Sequence, residues 1–147
     1  MLRGLALLFT MLAAVHGTDA DRILGTWTSA DGKACIRVSA AHGTYLGTIC
    51  WLGSPNDDQG KPRVDGLNPD TALRSQPIVG LCILKDLVPS GTGYYDEGWI
   101  YDPESGKSYH CHATLSGDSA SLALRGYVGV SLFGRSETWT RLTASGK

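Results

Sequence analysis

The stretch Ala34–Leu52, ACIRVSAAHGTYLGTICWL, decides the fold class of this chain. In it, two short runs of alternating apolar and polar residues flank turn residues at His42-Gly43. An alternation with a period of two is typical of half-buried antiparallel strands, and the turn favours a hairpin. We therefore predict two paired strands, with Ile49 and Trp51 on the face that points into the core.

The same pattern recurs along the whole chain, and no segment carries a long stripe of helical period. The predicted strands are Gly25 to Ser29, Ala34 to Ser39, Tyr45 to Leu52, Ile78 to Leu84, Gly98 to Tyr101, Ser108 to Leu115, Ser121 to Val128 and Arg135 to Leu142. This number of strands, with 19 glycines, predicts an all-β fold, an eight-stranded antiparallel up-and-down barrel. An outer-membrane barrel is the alternative, but its strands are longer and carry a lipid-facing apolar band.

The first residues of the chain differ from the rest. Arg3 precedes an apolar run from Leu5 to Val15, and small residues end at Gly17, so we predict a secretory signal peptide over residues 1–17. The run is shorter than the ~20 residues of a membrane-spanning helix. Residues 18–147 then form a single periplasmic or secreted domain. The net charge of -1 over 147 residues excludes the basic surface that nucleic-acid binding needs.

Export favours disulfide bonds between the four cysteines, whose spacing matches no zinc motif. A hairpin turn near His42 sets Cys35 opposite Cys50 on the outward face, and opposed strand positions lie within disulfide range. We predict a Cys35–Cys50 bridge and leave Cys82 and Cys111 unpaired.

A long connection, Gly53 to Pro77, interrupts the regular hairpins. Connections of this length are usually functional or disordered. Within it, Asn68 is predicted to cap a short helical turn that starts at Pro69. The spacing of its acids does not match a calcium loop, and we treat all four as solvated. These acids are Asp57, Asp58, Asp65 and Asp70.

Short motifs at both ends of the domain look like those of the lipocalin and streptavidin class of barrels. The motifs are Gly25-Thr26-Trp27 and Trp139-Thr140-Arg141. In that class the tryptophan lies at the closed end, and a basic residue from the end of the chain packs across its indole. The resemblance implies structural roles for Trp27, Trp139 and Arg141, with a cation–π contact between Arg141 and Trp27.

A longer set of motifs resembles the secreted bacterial family catalogued as domain of unknown function 2147, over nearly the whole mature chain. The motifs are Gly60-Lys61-Pro62, Asn68-Pro69-Asp70, Arg74, Tyr101-Asp102-Pro103, Gly106-Lys107-Ser108-Tyr109, Arg125-Gly126-Tyr127-Val128-Gly129, Leu132-Phe133-Gly134-Arg135 and Thr138-Trp139-Thr140-Arg141. This resemblance implies a lipocalin-like barrel and export, and it implies no established activity.

Alternation along the strands predicts which side chains line a ligand cavity inside the barrel, beneath the long loop. The candidate ligand-binding residues are Trp51, Tyr101, Arg125, Tyr127 and Arg135. Arg125-Gly126-Tyr127 also resembles the clamp with which intracellular fatty-acid-binding barrels hold a carboxylate. We therefore predict an exported barrel that binds a small apolar or amphipathic, lipid-like molecule with an anionic head.

Three other interpretations of these residues remain open. Arg125, Arg135 and Glu137 could form an internal salt-bridge network that merely fills the barrel. A filled barrel with an exposed apolar rim would indicate an envelope protein-interaction module, and an enzyme could use the barrel mouth. No catalytic motif, metal site or cofactor is predicted, and His110 and His112 are expected to face solvent.

Overall fold

The computed structural model describes residues 18–127 and 135–144. Its strands are β1 (Gly25–Thr28), β2 (Ala34–Ala41), β3 (Thr44–Leu52), β4 (Cys82–Gly91), β5 (Tyr94–Asp102), β6 (Lys107–Leu115), β7 (Ser121–Tyr127) and β8 (Arg135–Arg141). Neighbours in sequence pair antiparallel, and β8 pairs with β1, so the predicted closed up-and-down barrel is confirmed. Two 3₁₀ helices, Asp19–Ile23 and Thr71–Leu73, complete the described part of the chain.

The predicted signal peptide, residues 1–17, and the segment between the last two predicted strands, residues 129–134, lie outside the described residues. Within the described ranges, no helix is long and apolar enough to cross a membrane.

The hairpin of β4 and β5 was predicted with the wrong bounds. Both strands extend to a turn between Gly91 and Tyr94, and β4 begins four residues later than expected. The alternation is broken here because Asp86 and Glu97 adopt left-handed backbone conformations, with φ of 58° and 60°, and the pairings of β4 with β3 and of β5 with β6 shift register beside them. Such bulges hide a strand from a period-two pattern.

The closed end of the barrel is built as the sequence predicts. Trp27 is fully buried, and its indole N–H donates to the Ile23 carbonyl of the first 3₁₀ helix at 3.0 Å. The Arg141 guanidinium lies 4.2 Å from the centre of the Trp27 ring. Arg141 also donates to the carbonyls of Leu24 and Ser119, each at 2.7 Å. One cation thus ties the last strand to the helix that closes the barrel.

Side chains from all eight strands contribute to the buried core. The buried core comprises Ile23, Trp27, Ile36, Val38, Tyr45, Ile49, Ile83, Leu84, Leu87, Tyr95, Cys111, Ala113, Leu115, Leu122, Leu124 and Trp139. Even Gly98 is in close contact, because a Cβ at that position would lie 2.7 Å from a methyl of Leu87. These side chains pack the closed end and the middle of the barrel, whereas Tyr109 and Arg135, on the inward faces of β6 and β8 near the mouth, are partly exposed and exposed, respectively.

A β-bulge between β2 and β3 changes the predicted register at the mouth. Ile36 pairs with Ile49, but Cys35 pairs with Trp51, which leaves Cys50 as the extra residue. The extra residue reverses the alternation, so Trp51 turns outward and is 49% exposed.

The same bulge changes the pairing on which the predicted Cys35–Cys50 bridge was based. The structure does not contain this bridge. The Cys50 thiol instead donates to the Cys35 carbonyl at 3.4 Å, and all four cysteines are free. The prediction paired Cys35 with Cys50 because it assumed a regular hairpin.

Candidate functional site

The long connection between β3 and β4 covers a cavity against the outer wall of the barrel. The cavity has a volume of about 650 Å³. The described residues that line it are Asn68, Pro69, Leu73, Gln76, Gly80, Leu81, Cys82, Ile83, Lys85, Trp99, Tyr101 and Ser108. A space of this size, with apolar walls and a few polar groups, has the makeup of a small-molecule site.

A buried carboxylate fastens the loop to the barrel beside this cavity. Asp65 is fully buried, and it accepts hydrogen bonds from the Tyr101 hydroxyl at 2.7 Å and the Asn68 amide at 2.8 Å. Its backbone N–H donates to the Gln76 carbonyl at 2.8 Å. The expectation that all the loop acids are solvated is therefore wrong for Asp65. A buried charge needs such partners to offset its lost hydration.

The loop also touches the turn between β5 and β6. Gly106 has a φ of 70°, and a Cβ at that position would lie 2.1 Å from the Leu67 carbonyl oxygen. Only glycine permits this approach, because any side chain would meet backbone that cannot move aside. The close contact fixes the loop at a second point.

The short helical turn in the loop starts two residues later than predicted. Thr71–Leu73 forms a 3₁₀ helix, and Asp70 rather than Asn68 caps it by accepting from the Ala72 N–H at 3.0 Å. The Asn68 side-chain oxygen accepts from the Asp70 N–H at 2.9 Å. Asn68 thus shapes the approach to the helix and is free to bind Asp65 through its amide.

The cavity combines two aromatic side chains, several aliphatic ones and one cation. Trp99 is 40% exposed on the outer face of β5, and Lys85 lies directly opposite it on β4. Leu73 and Leu81 come from the loop. The arrangement can hold an apolar group against the indole while the ammonium meets an anionic group.

The phenol of Tyr101 is a hydrogen-bond donor over the whole physiological range. Burial, and then its hydrogen bond to Asp65, raises the pKa of Tyr101 to about 12. Because this value lies above the ordinary 10.0, the stability that the neutral phenol contributes is present below pH 10 and lost as the pH approaches 12.

We therefore expect the loop to loosen between about pH 10 and about pH 12. The fluorescence of Trp99, followed in a Trp51→Phe background, should change in that range. A Tyr101→Phe variant should lack this step, because it has no phenol to ionise at the loop contact. Persistence of the same step in Tyr101→Phe would assign it to another tyrosine and contradict the expectation.

The structure disperses the five predicted ligand-binding residues. Tyr101 lines the loop-covered cavity, but it does so from the outer face of β5. Trp51 lies in a separate outer groove of about 420 Å³, lined by Thr26, Cys35, Arg37, Cys50, Trp51 and Leu142. Arg135 is exposed at the start of β8, on the face shared with Glu137 and Trp139.

Arg125 and Tyr127 point away from the lumen, contrary to the prediction. Leu122 and Leu124 occupy the inward positions of β7, so the alternate residues face outward. Arg125 donates to the Ser136 hydroxyl at 2.8 Å, and the Tyr127 ring lies 6.0 Å from that of His110. The fatty-acid clamp suggested by Arg125-Gly126-Tyr127 is therefore absent from the barrel interior.

For the same reason, the open alternative of an internal salt-bridge network of Arg125, Arg135 and Glu137 does not hold for Arg125. Glu137 faces inward at the mouth and accepts from the Ala30 N–H at 3.3 Å, whereas Arg125 is on the outer wall. The outward orientation of His110 is confirmed, since its ring stacks 3.7 Å from the exposed Trp99.

The Cys111 thiol is fully buried in the core. Burial raises the pKa of the Cys111 thiol to about 12, so it stays neutral and acts as a core side chain. Among the described residues, no cluster of three or more histidine, cysteine or acidic side chains could hold a metal ion.

Sequence reasoning missed Lys85, which lines the cavity, and Asp65, which holds the loop beside it. Lys85 belongs to the part of β4 that was not recognised as a strand, and Asp65 looked like any other acid of a polar loop. No signal in the sequence marks either, because both depend on where the loop folds back.

A protein-family model matches the part of the chain that forms this barrel and its loop. Residues 25–141 match the family model described as "Uncharacterized protein conserved in bacteria (DUF2147)". The chain belongs to this family. The match runs from the first residue of β1 to the last of β8, so the DUF2147 domain is the whole barrel together with the loop that covers the cavity.

A solved structure shares the fold of this DUF2147 domain. Protein HP1028 from Helicobacter pylori, described as belonging to the lipocalin family, is 23% identical, with a TM-score of 0.72. The match covers 83% of this chain and 84% of that one. Comparison with curated proteins gives no match. The resemblance predicted from the motifs is thus confirmed for both the family and the lipocalin-like fold.

Proposed function

We propose that this protein is exported and binds a small apolar or amphipathic molecule with an anionic head in the loop-covered cavity. The observation that carries the proposal is a cavity of about 650 Å³ whose lining includes the exposed face of Trp99 and the Lys85 ammonium. Small-molecule sites typically have volumes of roughly 300–1,000 Å³. The packed core and the outward orientation of Arg125 and Tyr127 favour this outer wall over the barrel interior as the candidate site.

The chemistry of the lining supports the ligand class. Lys85 is the charged side chain among the described lining residues, and it favours an anion. Leu73, Leu81 and Ile83 surround it with aliphatic surface that suits a hydrocarbon or ring system. Tyr101 contributes its ring to the wall, while its hydroxyl is committed to Asp65.

Export is supported by the sequence before the barrel. The single Arg3, the apolar run from Leu5 to Val15 and the small residue Gly17 have the order of a secretory signal. Export would place the cavity in the periplasm or outside the cell, where it could carry a poorly soluble molecule.

Lys85→Met tests the anionic head directly. Because methionine keeps an apolar stem and removes the charge, hexadecanoate should bind more weakly by about 1.5–3 kcal/mol, the contribution of a charged hydrogen bond. Hexadecanol, which lacks the carboxylate, should lose less binding free energy on the same substitution. Both affinities can be measured from Trp99 fluorescence in a Trp51→Phe background, since the remaining Trp27 and Trp139 are buried.

Arg37→Met is the matched control, because Arg37 is an exposed cation in the other outer groove. It should leave hexadecanoate binding unchanged. Equal binding of hexadecanoate by wild type and Lys85→Met would contradict the proposed site, as would an effect of Arg37→Met equal to that of Lys85→Met.

A protein-interaction module is the second candidate, and one observation favours it. The loop carries apolar side chains that face solvent, with Val64 46%, Leu67 57% and Val79 41% exposed. A filled barrel with an apolar rim is what an envelope partner would recognise. If neither hexadecanoate nor hexadecanol binds, this surface becomes the site to test.

A further inference from the structure

A chain of five rings runs over the outer wall of the barrel, beyond the cavity. Its members, in order of contact, are Trp99, His110, Tyr127, His112 and Tyr94. Neighbouring ring centres lie between 3.7 and 6.0 Å apart. We call this set the ring strip.

The strand register explains the continuity of the ring strip. Trp99 on β5 pairs with His110 on β6, which pairs with Tyr127 on β7. His112 lies two residues beyond His110 and therefore shares its face. Trp99, His110, Tyr127 and His112 sit on regular ladder positions of a closed sheet, so the backbone fixes their spacing, and Tyr94 lies beyond the bulge at Glu97.

We propose that the ring strip binds an oligosaccharide along the outer wall of the barrel. Every ring in it carries an N–H, O–H or ring nitrogen at its edge, and none is a phenylalanine. A sugar ring presents both C–H groups and hydroxyls, so rings with an apolar body and a polar tip suit it better than a lipid chain.

The hydrogen-bonding side chains around the ring strip fit the same ligand. Arg125 lies opposite His112 on β7, and Ser108 precedes His110 by two residues on the same face of β6. Burial, and then the neighbouring Asp96, raises the pKa of Tyr94, which keeps its phenol a neutral donor. These groups can donate to and accept from sugar hydroxyls.

The local charge excludes a strongly anionic polymer. The cation Arg125, which lies opposite His112, is accompanied by the acid Asp96 beside Tyr94 at the same end of the ring strip. A nucleic acid would need a cluster of cations to neutralise its phosphates, and the chain as a whole has a net charge of -1. A neutral or weakly acidic glycan meets no such requirement.

The ring strip is continuous with the proposed cavity, because Trp99 belongs to both. Adjacent strands are ~4.8 Å apart, so the rings from β5 to β7 cover ~10 Å, the length of about two sugar units. The open outer wall suits an extended chain, whereas the concave cavity suits a compact molecule.

The test is calorimetric titration of the whole protein with chitohexaose and with maltohexaose. We expect at least one of the two sugars to bind. Tyr127→Ala and His112→Ala should each weaken that binding by roughly two- to tenfold, the range expected for losing one aromatic contact. Lys85→Met should leave it unchanged, although the same variant weakens hexadecanoate.

Thr138→Ala is the matched control, since Thr138 is exposed on β8 outside the ring strip. It should bind sugar as wild type does, and circular dichroism should show that all variants fold. Absence of heat with both sugars would overturn the proposal, as would undiminished binding by Tyr127→Ala and His112→Ala. Failure of sugar binding with intact hexadecanoate binding would refute this inference alone and leave the cavity standing.

Discussion

Trp27→Ala is expected to lower the free energy of unfolding by about 3–5 kcal/mol, as for other buried large aromatic side chains. The indole is fully buried and closes the bottom of the barrel. Its removal opens a cavity that the surrounding strands cannot fill, because they are held in a closed sheet. It also removes the contact with Arg141 and leaves the Ile23 carbonyl without its donor.

Denaturant unfolding followed by circular dichroism measures this loss, and the thermal midpoint should fall by more than about 10 °C. Trp51→Ala is the matched control, because Trp51 is 49% exposed and its truncation leaves no internal cavity. We expect Trp27→Ala to change hexadecanoate binding little in the folded fraction, since Trp27 lies at the opposite end of the barrel. A thermal midpoint equal to that of wild type would contradict the assigned role of Trp27.

The closed end could be predicted because its determinants are local and distinctive. A glycine two residues before Trp27, and a cation two residues after Trp139, sit at fixed places in strands that must pair when the barrel closes. The order of strands followed from short connections, since consecutive antiparallel strands become neighbours. One continuous set of alternating residues then defined most of the core.

The sequence could not predict for every strand which side chains face inward. Alternation shows only which residues of one regular strand share a face, and a bulge interrupts it. One extra residue at Cys50 was enough to turn Trp51 from the lumen to the surface. Tyr101 was expected to line the lumen, but it shares the outer face of β5 with Trp99. The bulge at Glu97 determines which residues of β5 face inward, and no pattern in the sequence predicts that bulge.

The candidate site could not be predicted from the sequence for a different reason. It forms where a long loop lies against the wall, and that placement depends on single contacts such as Asp65 with Tyr101. Such contacts join residues far apart in sequence and leave no periodic pattern. The sequence could indicate only that a loop of this length is unusual enough to be functional.

The contact between Asp65 and Tyr101 leads to the second large expected effect. Asp65→Ala should destabilise the protein by roughly 2–4 kcal/mol, because it removes a charged acceptor from two side-chain donors in a buried position. The hydroxyl of Tyr101 and the amide of Asn68 then lack their partner. Asp58→Ala, at an exposed acid of the same loop, should change stability by less than about 0.5 kcal/mol.

A double-mutant cycle with Tyr101→Phe separates this contact from general effects of truncation. If the carboxylate and phenol act as a pair, the double variant should be less destabilised than the sum of the single ones, with a coupling of about 1–3 kcal/mol. Hydrogen exchange should show faster exchange at the Asp65 and Ile78 amides, which bond within the loop. Additive free energies, or unchanged exchange in Asp65→Ala, would show that the loop is held without this carboxylate.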